Sequence, residues 1–258
     1  YCFSLSHLAI GDEFNPEVGF VRRSDIRKTS GRVRFSPRPQ SIKSVRKFSF
    51  VSQVNYYENG DGRVETREHE FEFGTEFNGG DNFDITYSRN YEGLFDNFEI
   101  ADGVTLSAGG YEFDRMRASY RMGPQRKITG WFNLSTGDFF GGKRTEASYR
   151  GRVEVTPQLS FEPNISQNWI SFTEESFTTT LLRLRSTYAL SARSFAGALI
   201  QYNTSNQSVS TNVRFAWEYD PGSNIFVVYT DGRDVNNIGF PELRNQSFVV
   251  KFTRLFRF

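Results

Sequence analysis

The stretch QSVSTNVRFAWEY, residues 207–219, alternates apolar and polar side chains along its whole length. Successive side chains of a β-strand point to opposite faces, so this alternation predicts a strand with one apolar and one polar face. The aromatic residues of the apolar face gather toward one end, a gradient that is typical of the edge of a lipid-facing band. The residues predicted to face lipid or to form this aromatic girdle are Val209, Val213, Phe215, Trp217 and Tyr219.

The same alternation recurs along the chain in fourteen segments, and no amphipathic helical pattern competes with them. Together they predict an all-β fold. The predicted strands are residues 2–10, 30–37, 45–57, 63–77, 82–91, 111–122, 126–135, 145–156, 159–170, 177–190, 194–203, 207–219, 224–231 and 246–258.

The connectors between these strands alternate in length, with the short loops 58–62 and 203–207 as exceptions on the long-loop side. Short turns rich in Gly, Pro, Asn and Asp are predicted at 78–81, 122–125, 156–158, 191–194 and 220–224. Longer connectors are predicted at 11–29, 92–110, 136–144, 171–176 and 232–245. Short turns at one rim and long loops at the other are the pattern of outer-membrane barrels. We therefore predict one domain, residues 1–258, forming a transmembrane antiparallel up-and-down β-barrel of about fourteen strands.

The composition supports this interpretation and excludes several others. The chain has 258 residues with 27 Phe, 12 Tyr and 3 Trp, yet 24% of its residues are charged. Alternation along strands accommodates both, because the apolar side chains lie on one face and the charged side chains on the other. The net charge of +1 lacks the basic excess expected of a nucleic-acid-binding protein. A single cysteine excludes an internal disulfide and a thiolate metal cluster.

The polar faces carry rows of both charge signs, as the interior of a membrane barrel does. A soluble β-sandwich also alternates, but its strands are usually shorter than these segments. The residues predicted to face the lumen are Arg32, Arg34, Glu70, Glu72, Arg115, Arg117, Arg150, Arg152, Glu154, Arg183, Arg185, Arg214 and Glu218. Their roles as a channel lining or as ion pairs across the lumen both stay open.

The end of the chain, FTRLFRF, places aromatic residues at alternate positions Phe252, Phe256 and Phe258. This ending resembles the C-terminal signature of bacterial outer-membrane barrels. The resemblance implies that these residues are read by the barrel assembly machinery, and that the protein lies in the bacterial outer membrane.

Several longer stretches extend the resemblance: GDEFNPEVGFVRRSD (11–25), FSPRP (35–39), ALIQYNT (198–204), FAWEYDPGSNIFVVYTDGRD (215–234) and SFVVKFTRLFRF (247–258). They are similar to the C-terminal part of a bacterial outer-membrane barrel family of unknown function, whose members carry an N-terminal carbohydrate-binding family 9-like domain. The resemblance implies further barrel strands upstream of this region, and contact with glycans through the upstream domain. The first predicted strand begins at residue 2, so the chain starts as though inside a strand, and we expect the barrel to be larger than this chain.

Two functional classes follow from these patterns. The first is a barrel that passes solutes or polymers, or that anchors a surface domain, with outer-membrane lipids and lipopolysaccharide as partners. The second is a soluble secreted all-β binding module. Ten Lys or Arg and one acid between residues 22 and 47 would suit lipopolysaccharide phosphates, or would simply line the lumen and decorate loops. No catalytic motif accompanies the two histidines, so we predict no enzyme, metal or cofactor.

Overall fold

The computed structural model describes residues 1–21, 23–101, 104–172, 176–235 and 241–256. Within these ranges every regular element is a β-strand. The strands are β1 (Cys2–Ile10), β2 (Ile26–Phe35), β3 (Val45–Asn59), β4 (Val64–Phe77), β5 (Asn82–Leu94), β6 (Phe98–Ala101), β7 (Val104–Leu106), β8 (Gly109–Arg121), β9 (Ile128–Phe139), β10 (Gly142–Glu154), β11 (Leu159–Ser171), β12 (Ser176–Ser191), β13 (Ser194–Asn203), β14 (Ser208–Asp220), β15 (Ser223–Asp234) and β16 (Glu242–Thr253).

Fourteen of these strands form one antiparallel sheet in sequence order, interrupted only where β6 and β7 pair as a separate hairpin. Each strand of the large sheet therefore lies beside its neighbour in sequence, and the order has two ends, β1 and β16. This confirms the predicted all-β, up-and-down antiparallel fold and its count of about fourteen strands. Within the described ranges, no helix is long and apolar enough to cross a membrane.

Two tight turns, those after β9 and after β14, contain residues with positive φ. Phe140 and Gly141 join β9 to β10 with φ values of 46° and 82°. Positive φ at both central residues is the geometry whose twist matches that of the flanking strands in a hairpin. Gly222, with a φ of 81°, serves the turn between β14 and β15. These turns fix the register of the hairpins that they close.

Three predicted long connectors contain strand residues. The predicted long connector 136–144 is the two-residue turn after β9, β2 begins at Ile26 rather than at 30, and 92–110 contains the β6–β7 hairpin. In 135–138 the sequence STGD is polar on both parities. Alternation cannot mark a strand where both faces are polar, so the sequence pattern ends before the hydrogen-bonded ladder does.

The final strand is also shifted from its prediction. β16 begins at Glu242 and ends at Thr253, so residues 254–256 lie outside the sheet. Leu255 instead donates its backbone N–H to Ser223 Oγ at 3.1 Å, and its side chain lies against Gly222. The predicted strand 246–258 is therefore wrong over 254–256, where Leu255 contacts the β14–β15 turn instead of continuing the ladder, and residues 257 and 258 lie outside the described residues.

The chain divides into two compact units. Unit 1 comprises residues 1–120, 134–145 and 170–176, and unit 2 comprises residues 121–133, 146–169 and 177–258. Only six hydrophobic side chains of the described residues are buried: Ile26, Val45, Val51, Leu106, Phe113 and Ala216. Many large apolar side chains, such as Phe3, Phe71, Phe248 and Val250 on the strands, are instead exposed.

Candidate functional site

The strand register of unit 1 defines two unlike faces, because residues paired across neighbouring strands point to the same side. One row joins Phe3, Val33, Ser52, Phe71 and Tyr87 across β1 to β5. We call this side the apolar face. The opposite row joins Arg34, Val51, Glu72 and Thr86, and we call that side the polar face.

Five described hydrophobic side chains of unit 1 are buried, but on its two faces the small polar and the large apolar residues are exposed in the reverse of the order found in a water-soluble domain. The small polar residues Thr66 and Thr86, on the polar face, are 3% and 4% exposed. Phe3 and Phe71, on the apolar face, are 71% and 52% exposed. The long charged side chains of the polar face shelter the short ones between them, so the polar face is the enclosed side of unit 1. The side chains of the apolar face are exposed on the outer side of unit 1.

An aromatic row crosses the apolar face of unit 1 near the end of the strands at which the short turn 78–81 joins β4 to β5. We call this the tight-turn end. The Phe35 ring stacks on Tyr1 and Phe50 with centroids 4.9 and 6.1 Å apart, and Phe50 contacts Phe73 at 5.2 Å. Phe48 stacks on Phe73 from the next row at 5.7 Å. Such a row matches the aromatic girdle at a membrane interface, where amphipathic and aromatic rings concentrate.

The opposite end of the strands is the loop end. There the apolar face of unit 1 carries charged side chains. Glu112 accepts from Arg67 at 2.9 Å and from Arg89 at 3.2 Å, so one carboxylate bridges two guanidinium groups. The Arg67 guanidinium also lies over the ring of Tyr91, 5.5 Å from its centroid. The apolar face is thus bounded by aromatic rings at one end and by an ion-pair network at the other.

Six of the predicted lumen residues lie in unit 1. Glu70 and Glu72 share the polar face with Arg32 and Arg34, as the register of β2, β3 and β4 requires. Arg117 forms an ion pair with Glu70 at 3.9 Å. Arg115 lies on the same parity of β8 as Arg117. The unit 1 polar face therefore carries both charges in contact, which favours structural pairing over an open row of one sign.

Unit 2 repeats the division into an apolar and a polar face. The apolar face is defined by the row Val213, Ala198 and Tyr229 and by the neighbouring rows that lie on the same side. Tyr219 contacts Trp217 with ring centroids 6.2 Å apart and stacks on Phe252 at 5.4 Å, again near a tight turn. All five residues predicted to face lipid or the girdle share this face: Val209, Val213, Phe215, Trp217 and Tyr219.

The loop end of the unit 2 apolar face is also polar. Asp231 accepts from Arg233 Nε at 2.7 Å and from the hydroxyl of Tyr229 at 3.3 Å. Gln246 of β16 donates to that same hydroxyl at 2.8 Å. Along the strands of unit 2, aromatic rings, apolar side chains and ion pairs therefore follow one another in the same order as in unit 1.

The seven remaining predicted lumen residues lie in unit 2. Arg183, Arg185 and Arg214 share the polar face by register. Glu218 lies on that face too, but it accepts from the backbone N–H of Gly222 at 2.8 Å and so holds the turn. Arg150, Arg152 and Glu154 alternate along β10.

Sequence patterns missed an aromatic residue on the polar face of unit 2, Trp131. The Trp131 ring has guanidinium groups of Arg121 and Arg150 at 5.3 and 5.7 Å from its centroid. A cleft of about 250 Å³ beside it is also lined by Asn133 and Asn164. The signal was present in the parity of β9, where Trp131 alternates with the apolar-face residues Gly130 and Phe132.

Five of the nine described Lys and Arg residues between 22 and 47 have a side-chain partner in the structure. Arg23 donates to Thr66 Oγ1 at 3.0 Å and to Glu65 at 3.4 Å. Arg46 and Lys47 both contact Glu76 at 2.9 Å. Lys28 lies over the ring of Tyr57 at 5.0 Å, and Arg34 donates to Ser36 at 2.9 Å. Arg22 lies outside the described residues. These contacts favour a structural role over an open anion-binding patch.

The predicted assembly signature is only partly ordered as a strand. Phe252 belongs to β16, on the apolar face opposite Ile225. Phe256 lies beyond the strand, 65% exposed, with the Arg254 guanidinium 5.1 Å from its ring centroid. Phe258 lies outside the described residues.

The two histidines lie on the apolar face of unit 1 without a catalytic partner set among the described residues. His7 Nδ1 is 2.9 Å from Thr29 Oγ1, and His69 pairs with Val54 and Arg89 across the ladder. The described residues also contain no group of three or more His, Cys, Asp or Glu arranged to hold a metal ion.

Comparison with known proteins gives little beyond this geometry. No protein-family model matches the chain, and no curated protein matches it. Among solved structures, it is similar to a mutant of the ferric enterobactin receptor of Pseudomonas aeruginosa, with 10% sequence identity and a TM-score of 0.40. The similarity covers 87% of this chain and 45% of the receptor chain, so the chain spans less than half of the receptor's length.

Proposed function

We propose that the chain is an integral outer-membrane β-barrel protein, with its apolar face against lipid and its polar face toward an enclosed interior. The observation that carries the proposal is the reversed burial of unit 1, where small polar side chains are enclosed while phenylalanine rings are exposed. Exposed apolar area is unfavourable in water at about 25 cal/mol per Å². A lipid environment removes that cost over the whole face at once.

The limits of the apolar face support the same placement. In each unit, aromatic rings lie near the tight turns and ion pairs lie near the loop ends. Most strands of the sheet have 12–16 residues, as in β12 with 16 and β15 with 12, against the about 9–11 residues that cross a bilayer. The additional residues would project past the hydrocarbon on the loop side, where the ion pairs lie.

Within this placement, the role is passage of solutes or polymers through the interior, or anchoring of a surface domain. We further propose contact with outer-membrane lipids and lipopolysaccharide, delivery by the barrel assembly machinery, and no enzymatic activity. Glycan contact through a carbohydrate-binding family 9-like domain is proposed from the resemblance of the sequence to that barrel family.

Fractionation of the cells that make the protein tests this function. We expect the protein in the outer-membrane fraction, resistant to extraction by salt and carbonate and released by detergent. A protein found dispersed in the periplasm or medium without detergent contradicts the proposal and favours a soluble all-β binding module. Conductance across a planar bilayer then separates passage from anchoring, since only an open interior gives stepwise currents.

A further inference from the structure

A cleft of about 230 Å³ lies on the polar face of unit 2, between β12, β13 and β14. Two rows of the ladder form it: Thr187, Gly197 and Arg214 in one, and Arg185, Leu199 and Asn212 in the other. Arg185 and Arg214 therefore stand at diagonal corners, on the two outer strands. We call this the Arg185–Arg214 cleft.

Gly197 opens the floor of the Arg185–Arg214 cleft. A Cβ atom placed there would contact only the backbone oxygen of Ser186, at 3.5 Å, which is ordinary van der Waals distance. The space above the glycine is thus unoccupied by protein, and the position tolerates a side chain. The opening lies between the two arginines, where a small ligand would reach both.

Among the residues that the structure describes, no carboxylate compensates the charge of this cleft. Its lining contains two arginines and no carboxylate. In the described part of the chain, neither Arg185 nor Arg214 forms an ion pair, whereas Arg117 and Lys47 of the unit 1 polar face contact Glu70 and Glu76. Two guanidinium groups without a counter-charge attract an anion, and each presents N–H donors in a planar fork that fits carboxylate or phosphate oxygens.

Neighbouring groups hold parts of the cleft in place. The Arg214 guanidinium lies over the ring of Phe195, 5.6 Å from its centroid, a cation–π contact that helps to hold it in the cleft. Asn212 donates to Thr230 Oγ1 at 2.9 Å, which fixes its amide beside the arginines. The Thr187 hydroxyl adds a further donor at the same rim.

We propose that the Arg185–Arg214 cleft binds a small solute that carries two anionic groups, carboxylates or phosphates, one for each arginine. Binding in the cleft is a property of unit 2 alone. Its use as an anion-selective station for a solute that passes the interior rests on the proposed function.

Calorimetric titration of pyrophosphate into the full chain, in uncharged detergent at low salt, tests the cleft. We expect saturable binding that Arg185→Gln with Arg214→Gln weakens at least tenfold, because charge-assisted hydrogen bonds at both ends are lost. Gly197→Leu keeps both charges and fills the cleft, so it should weaken binding at least fivefold. The matched control, Arg193→Gln with Arg244→Gln, removes the same charge from exposed positions outside the cleft and should leave binding within twofold.

The proposal is overturned if the parent chain does not bind pyrophosphate, if the control pair weakens binding as much as the cleft pair, or if Gly197→Leu binds like the parent. Far-UV circular dichroism checks that each variant keeps its strands. Where the double variant does not fold, the two single arginine variants and Gly197→Leu decide the question. Binding by a chain that never enters membranes would support the cleft and contradict the barrel, whereas a membrane-inserted chain without binding would do the reverse.

Discussion

Val249 and Val250 of β16 are a matched pair for testing which face meets lipid. They are neighbours with the same side chain and are 52% and 58% exposed. Val250 pairs with Val227 on the apolar face, and Val249 pairs with Val228 on the polar face. Val250 also lies midway between Phe248 and Phe252, near the centre of the apolar band.

Arginine at Val250 should destabilise the protein by about 2–4 kcal/mol, the cost of a cationic side chain at the bilayer midplane on the lipid face. Arginine at Val249 should change stability by less than about 0.5 kcal/mol, as exposed substitutions usually do. A difference of 2 kcal/mol is a change of about 30-fold in the unfolding equilibrium. Equilibrium unfolding in guanidinium, with the chain in lipid vesicles and tryptophan fluorescence as the signal, measures both variants.

Equal costs for the two variants would refute the reasoning, because they would give both faces the same surroundings. A larger cost at Val249 than at Val250 would mean that the register is slipped by one residue, since such a slip exchanges the faces of the strand.

Three further substitutions test particular contacts in the same unfolding assay. Phe50→Ala removes ring contacts at 6.1 and 5.2 Å and should cost about 1–3 kcal/mol, which is about 0.5–1.5 kcal/mol for each of the two aromatic pairs; no loss would exclude a stabilising aromatic row. Glu112→Gln removes two exposed ion pairs and should cost less than about 1 kcal/mol, with the difference disappearing in 1 M salt; a cost that persists in salt would contradict an exposed network. Gly222→Ala forces a side chain to a φ of 81° and against Leu255, so it should cost about 1–2 kcal/mol; a neutral result would mean that the turn relaxes.

Alternation predicted the fold well wherever the two faces of a strand differ in polarity. β13 has the predicted bounds of 194–203, and β1 those of 2–10. The pattern failed where both faces are polar, as at the loop ends of β9 and β15, because parity then carries no contrast. It also failed after Thr253, because the backbone of Leu255 bonds to Ser223 in the β14–β15 turn and does not extend the ladder.

The sequence predicts which face of the sheet each candidate site residue occupies, but not which residues of different strands lie close together. Parity along β12 and β14 placed Arg185 and Arg214 on one side. The register that brings them diagonally across Gly197 depends on the turns at both hairpin ends, and one sequence does not specify it. The bridging of Arg67 and Arg89 by Glu112 likewise joins residues from β4, β5 and β8, which no local pattern connects.

Lipid exposure at two adjacent residues of β14 tests the central claim most directly. In a Cys2→Ser background, cysteine replaces Val213 of the apolar face or Asn212 of the polar face, one at a time. We predict that a probe on cysteine 213 is quenched by a bilayer-embedded quencher and that this cysteine is protected from a water-soluble thiol reagent, while cysteine 212 behaves in the opposite way. If neither position responds to either reagent, or if both react with the water-soluble one, the apolar face does not meet lipid and the membrane placement is contradicted.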